Sequence, residues 1–63
     1  MTTFKRICIK DWSIEDSDGQ RQEFRRGHEY ITSAEHEDGT ITGFGNFWVR
    51  TPPEIWAGAE KFT

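Results

Sequence analysis

The sequence predicts a small all-β domain of five short strands, closed near its C-terminus by one helical or 3-10 turn. Three observations carry that prediction. Apolar and polar residues alternate along much of the chain, as half-buried strands require. Asp38-Gly39 and Gly45-Asn46 fall between β-like runs, where tight hairpin turns belong. The third is aromatic content: five Phe, three Trp and one Tyr in 63 residues. Rings that bury roughly 150–250 Å² each can supply one compact core in a chain that is only 33% hydrophobic and 30% charged. A chain this short makes a single domain, spanning residues 1–63, of modest stability.

The elements follow in order. Phe4–Trp12 reads as the first strand, with Ile7 and Ile9 on one face and Arg6, Cys8 and Lys10 on the other. Ser13–Glu23 is polar, acidic and contains Asp18-Gly19, the composition of a long loop or an irregular hairpin. Phe24-Arg25-Arg26-Gly27 is a turn in which Gly27 takes positive φ, within a second strand region spanning residues 24–33. The run His28–Ala34 is rich in Tyr, Ile and Thr, which suit a pleated surface. Residues 40–44 and 47–51 form the next two strands, and a short terminal piece makes the fifth. The expected core is Ile7, Ile9, Phe24, Ile41, Phe47 and Val49, with either Tyr30 or Ile31.

The end of the chain, Thr51-Pro52-Pro53-Glu54-Ile55-Trp56, resembles a capping box: Thr51 as N-cap, Pro52 at the first helical position and Glu54 reaching back. Gly58 and the shortness of the segment favour a single helical or 3-10 turn around Pro53–Trp56, with Phe62 folding back. A short helix reaching residue 61 is the alternative. In either case the prolines begin a turn.

Together, KDWSIEDSDGQRQEFRRGHEYITS and the later PPEIW resemble the Src-homology-3 family of small five-stranded barrels. That family runs from an aromatic-bearing first strand (Asp11-Trp12) through a long acidic loop (residues 14–23) to a diverging turn (Phe24–Gly27) and a second strand. It ends in a Pro-led 3-10 turn closed by an aromatic. The resemblance covers roughly residues 7–57. Its peptide-binding members place a Trp pair at the start of the third strand, where this chain has Thr40-Ile41. The aromatic pair Phe47-Trp48 comes one turn later.

Composition limits what the chain does. A net charge of −3 argues against a nucleic-acid binder, which carries a basic stripe. The lone Cys8 cannot form an internal disulfide, so a reducing, cytoplasmic setting is expected. No run approaches the roughly 20 apolar residues of a membrane span, and Met1–Arg6 lacks the apolar core of a signal peptide. The initiator Met1 and the short length suggest a complete, free-standing protein.

The chemistry-bearing residues offer several candidate sites. Trp12, Trp48 and Trp56 with Pro53, beside the carboxylates Glu15, Asp16 and Asp18, would suit a proline-rich or basic peptide through stacking and charge steering. Strand parity places Trp48 outward with Arg50, opposite Phe47 and Val49. Glu35, Glu37 and Asp38 form a second acidic cluster. Ordinary solvated charge and core packing are the competing explanations for these residues. His28, His36 and Cys8 lack paired metal-ligand spacing, and no cofactor is expected. Cys8 lies mid-strand beside Arg6 and Lys10, with no loop or helix N-terminus to activate the thiol. Lys5, Arg6, Lys10, Arg25 and Arg26 could share a basic face for an oligonucleotide. The reading that emerges is a non-enzymatic protein-interaction module, a small phage or bacterial regulator or inhibitor that docks on a host protein. Its alternative is a nucleic-acid-binding accessory protein using the basic face. Uncovered tryptophan and open strand edges also predict a weak homodimer.

Overall fold

A computed structural model describes residues 2–62. In chain order the strands are β1 (Thr3–Cys8), β2 (Trp12–Glu15), β3 (Arg21–Phe24), β4 (Glu29–Glu35), β5 (Ile41–Phe44), β6 (Trp48–Thr51) and β7 (Trp56–Lys61). A 3-10 turn, Pro53–Ile55, separates the last two strands. Five strands form one antiparallel sheet in the order β6-β5-β4-β1-β7, and β2 with β3 makes a separate hairpin. The fold is therefore all-β. Its only helical piece among the described residues is the 3-10 turn where the prolines predicted one.

Strand boundaries differ from the sequence expectation in the first half. The run 4–12 is broken after Cys8, because the end of β1 is held from two sides. Gly27 N–H donates to Cys8 O at 2.7 Å, and Ile9 N–H donates to Ile55 O at 2.7 Å. The acidic stretch 13–23 forms a regular hairpin, with Trp12 opposite Phe24, Ile14 opposite Gln22 and Glu15 opposite Arg21. Its tip is built by Asp16, whose Oδ1 accepts from the N–H groups of Asp18 (3.0 Å) and Gln20 (2.9 Å). Such an Asx turn supplies locally the bonds a loop would otherwise leave to water. The region 24–33 is likewise divided by the turn at residues 25–28, so Phe24 closes β3 and β4 begins at Glu29.

The core lies between the large sheet and the hairpin folded against its inner face. Cys8, Phe24, Ile41, Ile55 and Trp56 are buried, with Trp12, Tyr30 and Val49 packed against them. Phe24 is its centre. Its ring meets Tyr30 edge-on at 4.9 Å and Trp56 at 5.3 Å, and stacks on Trp12 at 6.2 Å. Such offset and T-shaped contacts are the favoured aromatic geometries. Gly43 makes the close approach possible: a Cβ there would lie 3.0 Å from the Trp56 ring and 3.2 Å from Phe24.

This aromatic centre reverses the expected parity of β1. Ile7 and Ile9 are 43% and 47% exposed, whereas Cys8 is fully buried. With four rings filling the interior, the space beside β1 takes only a small side chain, and the Cys8 thiol donates to Lys10 O at 3.0 Å. Tyr30 faces the core and its hydroxyl accepts the Arg25 N–H at 2.9 Å, while Ile31, next along the strand, turns to the outer face. Phe47 is half-buried in the β5–β6 turn and outside the core cluster. The capping box does not form either. Pro52 is the N-cap, without a side-chain cap bond. The Thr51 hydroxyl is used elsewhere: it donates to Ile41 O at 2.6 Å and accepts from Trp56 Nε1 at 2.6 Å.

Candidate protein-binding surface

β5 and β6 are joined by a turn at residues 45–47, and their register sets Phe44 directly opposite Trp48. Alternation along each strand then sends Ile41, Gly43, Val49 and Thr51 toward the core, and Thr42, Phe44, Trp48 and Arg50 to the outer face. The two rings touch there, with centroids 4.9 Å apart and planes at 52°. Phe44 is 40% exposed and Trp48 49% exposed. Ile31 pairs with Phe44 and Lys5 with Ile31, so Lys5, Ile31, Phe44 and Trp48 form one cross-strand row over the outer face.

Beside Trp48 lies a depression of about 290 Å³, lined also by Thr3, Ser33, His36 and Thr42. Its polar groups are turned on one another. His36 Nε2 is 2.6 Å from Thr42 Oγ1 and 3.4 Å from Ser33 Oγ. The Ser33 hydroxyl donates to Ala34 O at 2.7 Å and accepts the Thr42 N–H at 3.1 Å. With its proton given to a carbonyl, Ser33 is not set up as a nucleophile toward His36, whatever their proximity. What remains at the mouth is methyl and ring surface.

A second depression of about 300 Å³ opens on the hairpin side, lined by Asp11, Trp12, Ser13, Arg21, Glu23, Phe24 and Arg25. Its charges are matched internally. Glu23 bridges Arg25 at 2.8 Å and Arg21 at 3.4 Å, and Asp11 Oδ1 accepts the Arg26 N–H at 2.6 Å.

The three tryptophans do not share a surface. Trp56 is 7% exposed and belongs to the core. Trp12 is half-buried against Phe24 on the hairpin, joined to Trp56 through that ring. Trp48 lies on the other side of the sheet, because its neighbour Val49 takes the inward position. Pro53 is exposed at the 3-10 turn. Glu15, Asp16 and Asp18 are exposed at the far end of the hairpin, three residue pairs beyond Trp12–Phe24, and Asp16 is committed to its turn. Trp12 and Trp56 thus meet through the core, away from that acidic tip.

The basic residues also divide. Lys5 lies on the outer face, its Nζ 5.6 Å from the Phe62 ring centroid. Arg6 points to the inner face, where Nε donates to Thr32 Oγ1 at 2.9 Å. Lys10, Arg25 and Arg26 sit at the other end of β1, near the turn that Gly27 closes onto Cys8. Among the described residues no three His, Cys, Asp or Glu side chains gather into a metal-holding group. No described helix is long and apolar enough to cross a membrane.

Asp38 accepts from Thr40 Oγ1 at 2.6 Å and from Thr40 N–H at 3.0 Å. Those bonds hold its carboxyl below the ordinary value of 3.8, with the nearby Arg50 and His36 adding to the effect. The Asp38–Arg50 contact is 3.3 Å and exposed, so its own share is small.

Strand parity set Trp48 outward, where it lies, and did not single out Phe44 beside it. The expected two-residue turn at Gly45-Asn46 would set Phe44 opposite Phe47; the observed turn takes in residue 47 as well, and that one-residue difference brings Phe44 against Trp48. Compared with known proteins, the chain matches no family model, no curated protein and no solved structure.

Proposed function

We propose that this chain is a non-enzymatic protein-interaction module, built as a Src-homology-3-like barrel, that docks on another protein through the Phe44–Trp48 face. The observation that carries the proposal is the touching pair itself, two large rings left 40% and 49% exposed on a sheet whose other face already has an aromatic core. Exposed tryptophan beside a second ring is the composition of binding hot spots. The apolar depression next to it offers a recess for one partner side chain. The barrel reading is supported by the order β6-β5-β4-β1-β7, by the hairpin inserted between β1 and β4, and by the 3-10 turn before the last strand. A cytoplasmic regulator of phage or bacterial origin fits the small size and the reduced, buried Cys8.

The test is capture of partners from lysate by tagged wild type, Trp48→Ala and Trp12→Ala. Trp48→Ala is expected to weaken capture about 30-fold, a loss of roughly 2 kcal/mol, with an unchanged melting temperature. Capture that survives Trp48→Ala and is lost on Trp12→Ala would move the site to the hairpin. Capture of nucleic acid alone, abolished by moderate salt, would replace the reading with a phosphate-binding one.

A further inference from the structure

The two edges of the five-stranded sheet are built differently. β7 pairs with β1 through a register shift, carries Gly58 at φ 71° and ends in the charged pair Glu60-Lys61. Bulges and charges of this kind discourage an edge from pairing with another chain. β6 has an unshifted ladder with β5 and a single charge, Arg50.

The phase of that ladder settles which backbone groups β6 leaves open. Gly45 N–H donates to Phe47 O at 3.3 Å across the turn, which makes Phe44–Trp48 a non-hydrogen-bonded pair. Bonded and non-bonded pairs alternate in an antiparallel ladder, so Gly43–Val49 and Ile41–Thr51 are the bonded ones. The N–H and C=O groups of Trp48 and Arg50 accordingly point away from β5, along the open edge.

We propose that β6 pairs antiparallel with β6 of a second copy of this chain, about a two-fold axis at Val49. The proposal rests on Trp48 being contact surface and names the partner that covers its edge. In this register Trp48 and the partner's Arg50 form one bonded pair, Arg50 and the partner's Trp48 the other, and all four edge-facing N–H groups find carbonyls. Directly opposed residues share a face, so each guanidinium lies against the other copy's exposed indole, a cation–π contact. Val49 meets the partner's Val49. Sliding the register one way opposes Arg50 to the partner's Arg50. Sliding it the other way opposes Arg50 to the partner's Asn46, which lies outside the strand. Charge excludes the first slide and strand length the second, so one alignment remains. Thr51 would oppose the partner's residue 47, which lies in the turn at residues 45–47, and Pro52 lacks an N–H, which limits pairing to three residues per chain. The contact stays below the ~800 Å² per partner of a standard interface, so association is weak.

The test combines sedimentation equilibrium of the purified protein with residue-resolved amide hydrogen exchange. For so small an interface, reversible dimerisation with a Kd on the order of 10⁻⁴ M is expected between about 10 μM and 1 mM. Exchange at the Trp48 and Arg50 amides should slow as concentration rises, while the hairpin amides of Ile14 and Gln22 stay unchanged. Arg50→Pro removes one edge-facing N–H per chain without touching the β5 ladder, and should leave a monomer. Should that variant fail to fold, Arg50→Glu, which sets a carboxylate against the indole, should weaken the dimer at least fivefold. A protein monomeric at 1 mM overturns the proposal. So does a dimer whose Trp48 and Arg50 amides exchange at the monomer rate, or one indifferent to the Arg50 substitutions. A strict monomer that still loses partner capture on Trp48→Ala would sink self-pairing alone and leave the docking face standing.

Discussion

The indole N–H of Trp56 donates to Thr51 Oγ1 at 2.6 Å, and the same hydroxyl donates to Ile41 O at 2.6 Å. This buried chain of bonds ties β5, β6 and the start of β7 together across the double-proline turn. Pro52 and Pro53 cannot donate, so the turn has few backbone bonds of its own. The side chains on either side of it supply the missing constraint. Removing the hydroxyl leaves a buried indole N–H without an acceptor, a penalty of about 1–3 kcal/mol. Thr51→Val should lose that much in urea unfolding, and Thr51→Ser should recover most of it.

Trp48 and Trp56 should behave oppositely on truncation. Trp56→Ala empties the space between Phe24, Tyr30 and Gly43 and should cost about 3–5 kcal/mol, enough to unfold a domain of this size. Trp48→Ala exposes Phe44 further and leaves the core intact, so its unfolding midpoint should shift little. Equal destabilisation of the two variants would make Trp48 a core residue.

Gly43→Ala should destabilise by about 1–3 kcal/mol through overpacking, since the new methyl meets Trp56 at 3.0 Å and Phe24 at 3.2 Å. Near-ultraviolet circular dichroism, which reports the packing of those rings, should change along with the melting temperature. A neutral outcome would mean that β5 can withdraw from the aromatic centre.

Asp38 predicts a dependence on acid. Its carboxyl is held below 3.8 in the folded protein, chiefly by the Thr40 hydroxyl and N–H. A folded value below the unfolded one contributes stability that is present above pH 3.8 and is lost as pH falls through the lowered folded value. Thr40→Val removes the larger cause, so the Asp38 carboxyl should titrate nearer its ordinary position in a carbon-detected NMR titration. Persistence of the depressed value in that variant would assign the effect to the Thr40 N–H, which the substitution keeps, with Arg50 and His36 behind it.

Much of the all-β architecture was legible from local chemistry. Asp38-Gly39 and Gly45-Asn46 lie at the two turns flanking β5, and the Pro52-Pro53 pair begins a 3-10 turn, because these residues restrict φ or tolerate turn geometry wherever they stand. The outward direction of Trp48 was legible too, since it follows from Val49 facing inward. The face of β1 was not. Isoleucine at residues 7 and 9 out-scores cysteine and arginine at 8 and 6 by hydrophobicity, yet Cys8 is the buried residue. Period-two alternation says which residues share a face and leaves open which face is covered.

That choice belonged to tertiary structure. The hairpin bearing Trp12 and Phe24 folds onto one side of the sheet, and its rings occupy the volume that Ile7 or Ile9 would have filled. The same event parts the three tryptophans, drawing Trp56 and Trp12 toward Phe24 and leaving Trp48 with Phe44 on the uncovered side. The chain by itself determined short strands, tight turns and an aromatic core, because φ preferences and side-chain size act locally. Which aromatics became core and which became surface depended on where a hairpin distant in sequence came to rest, and only packing among those rings decides that.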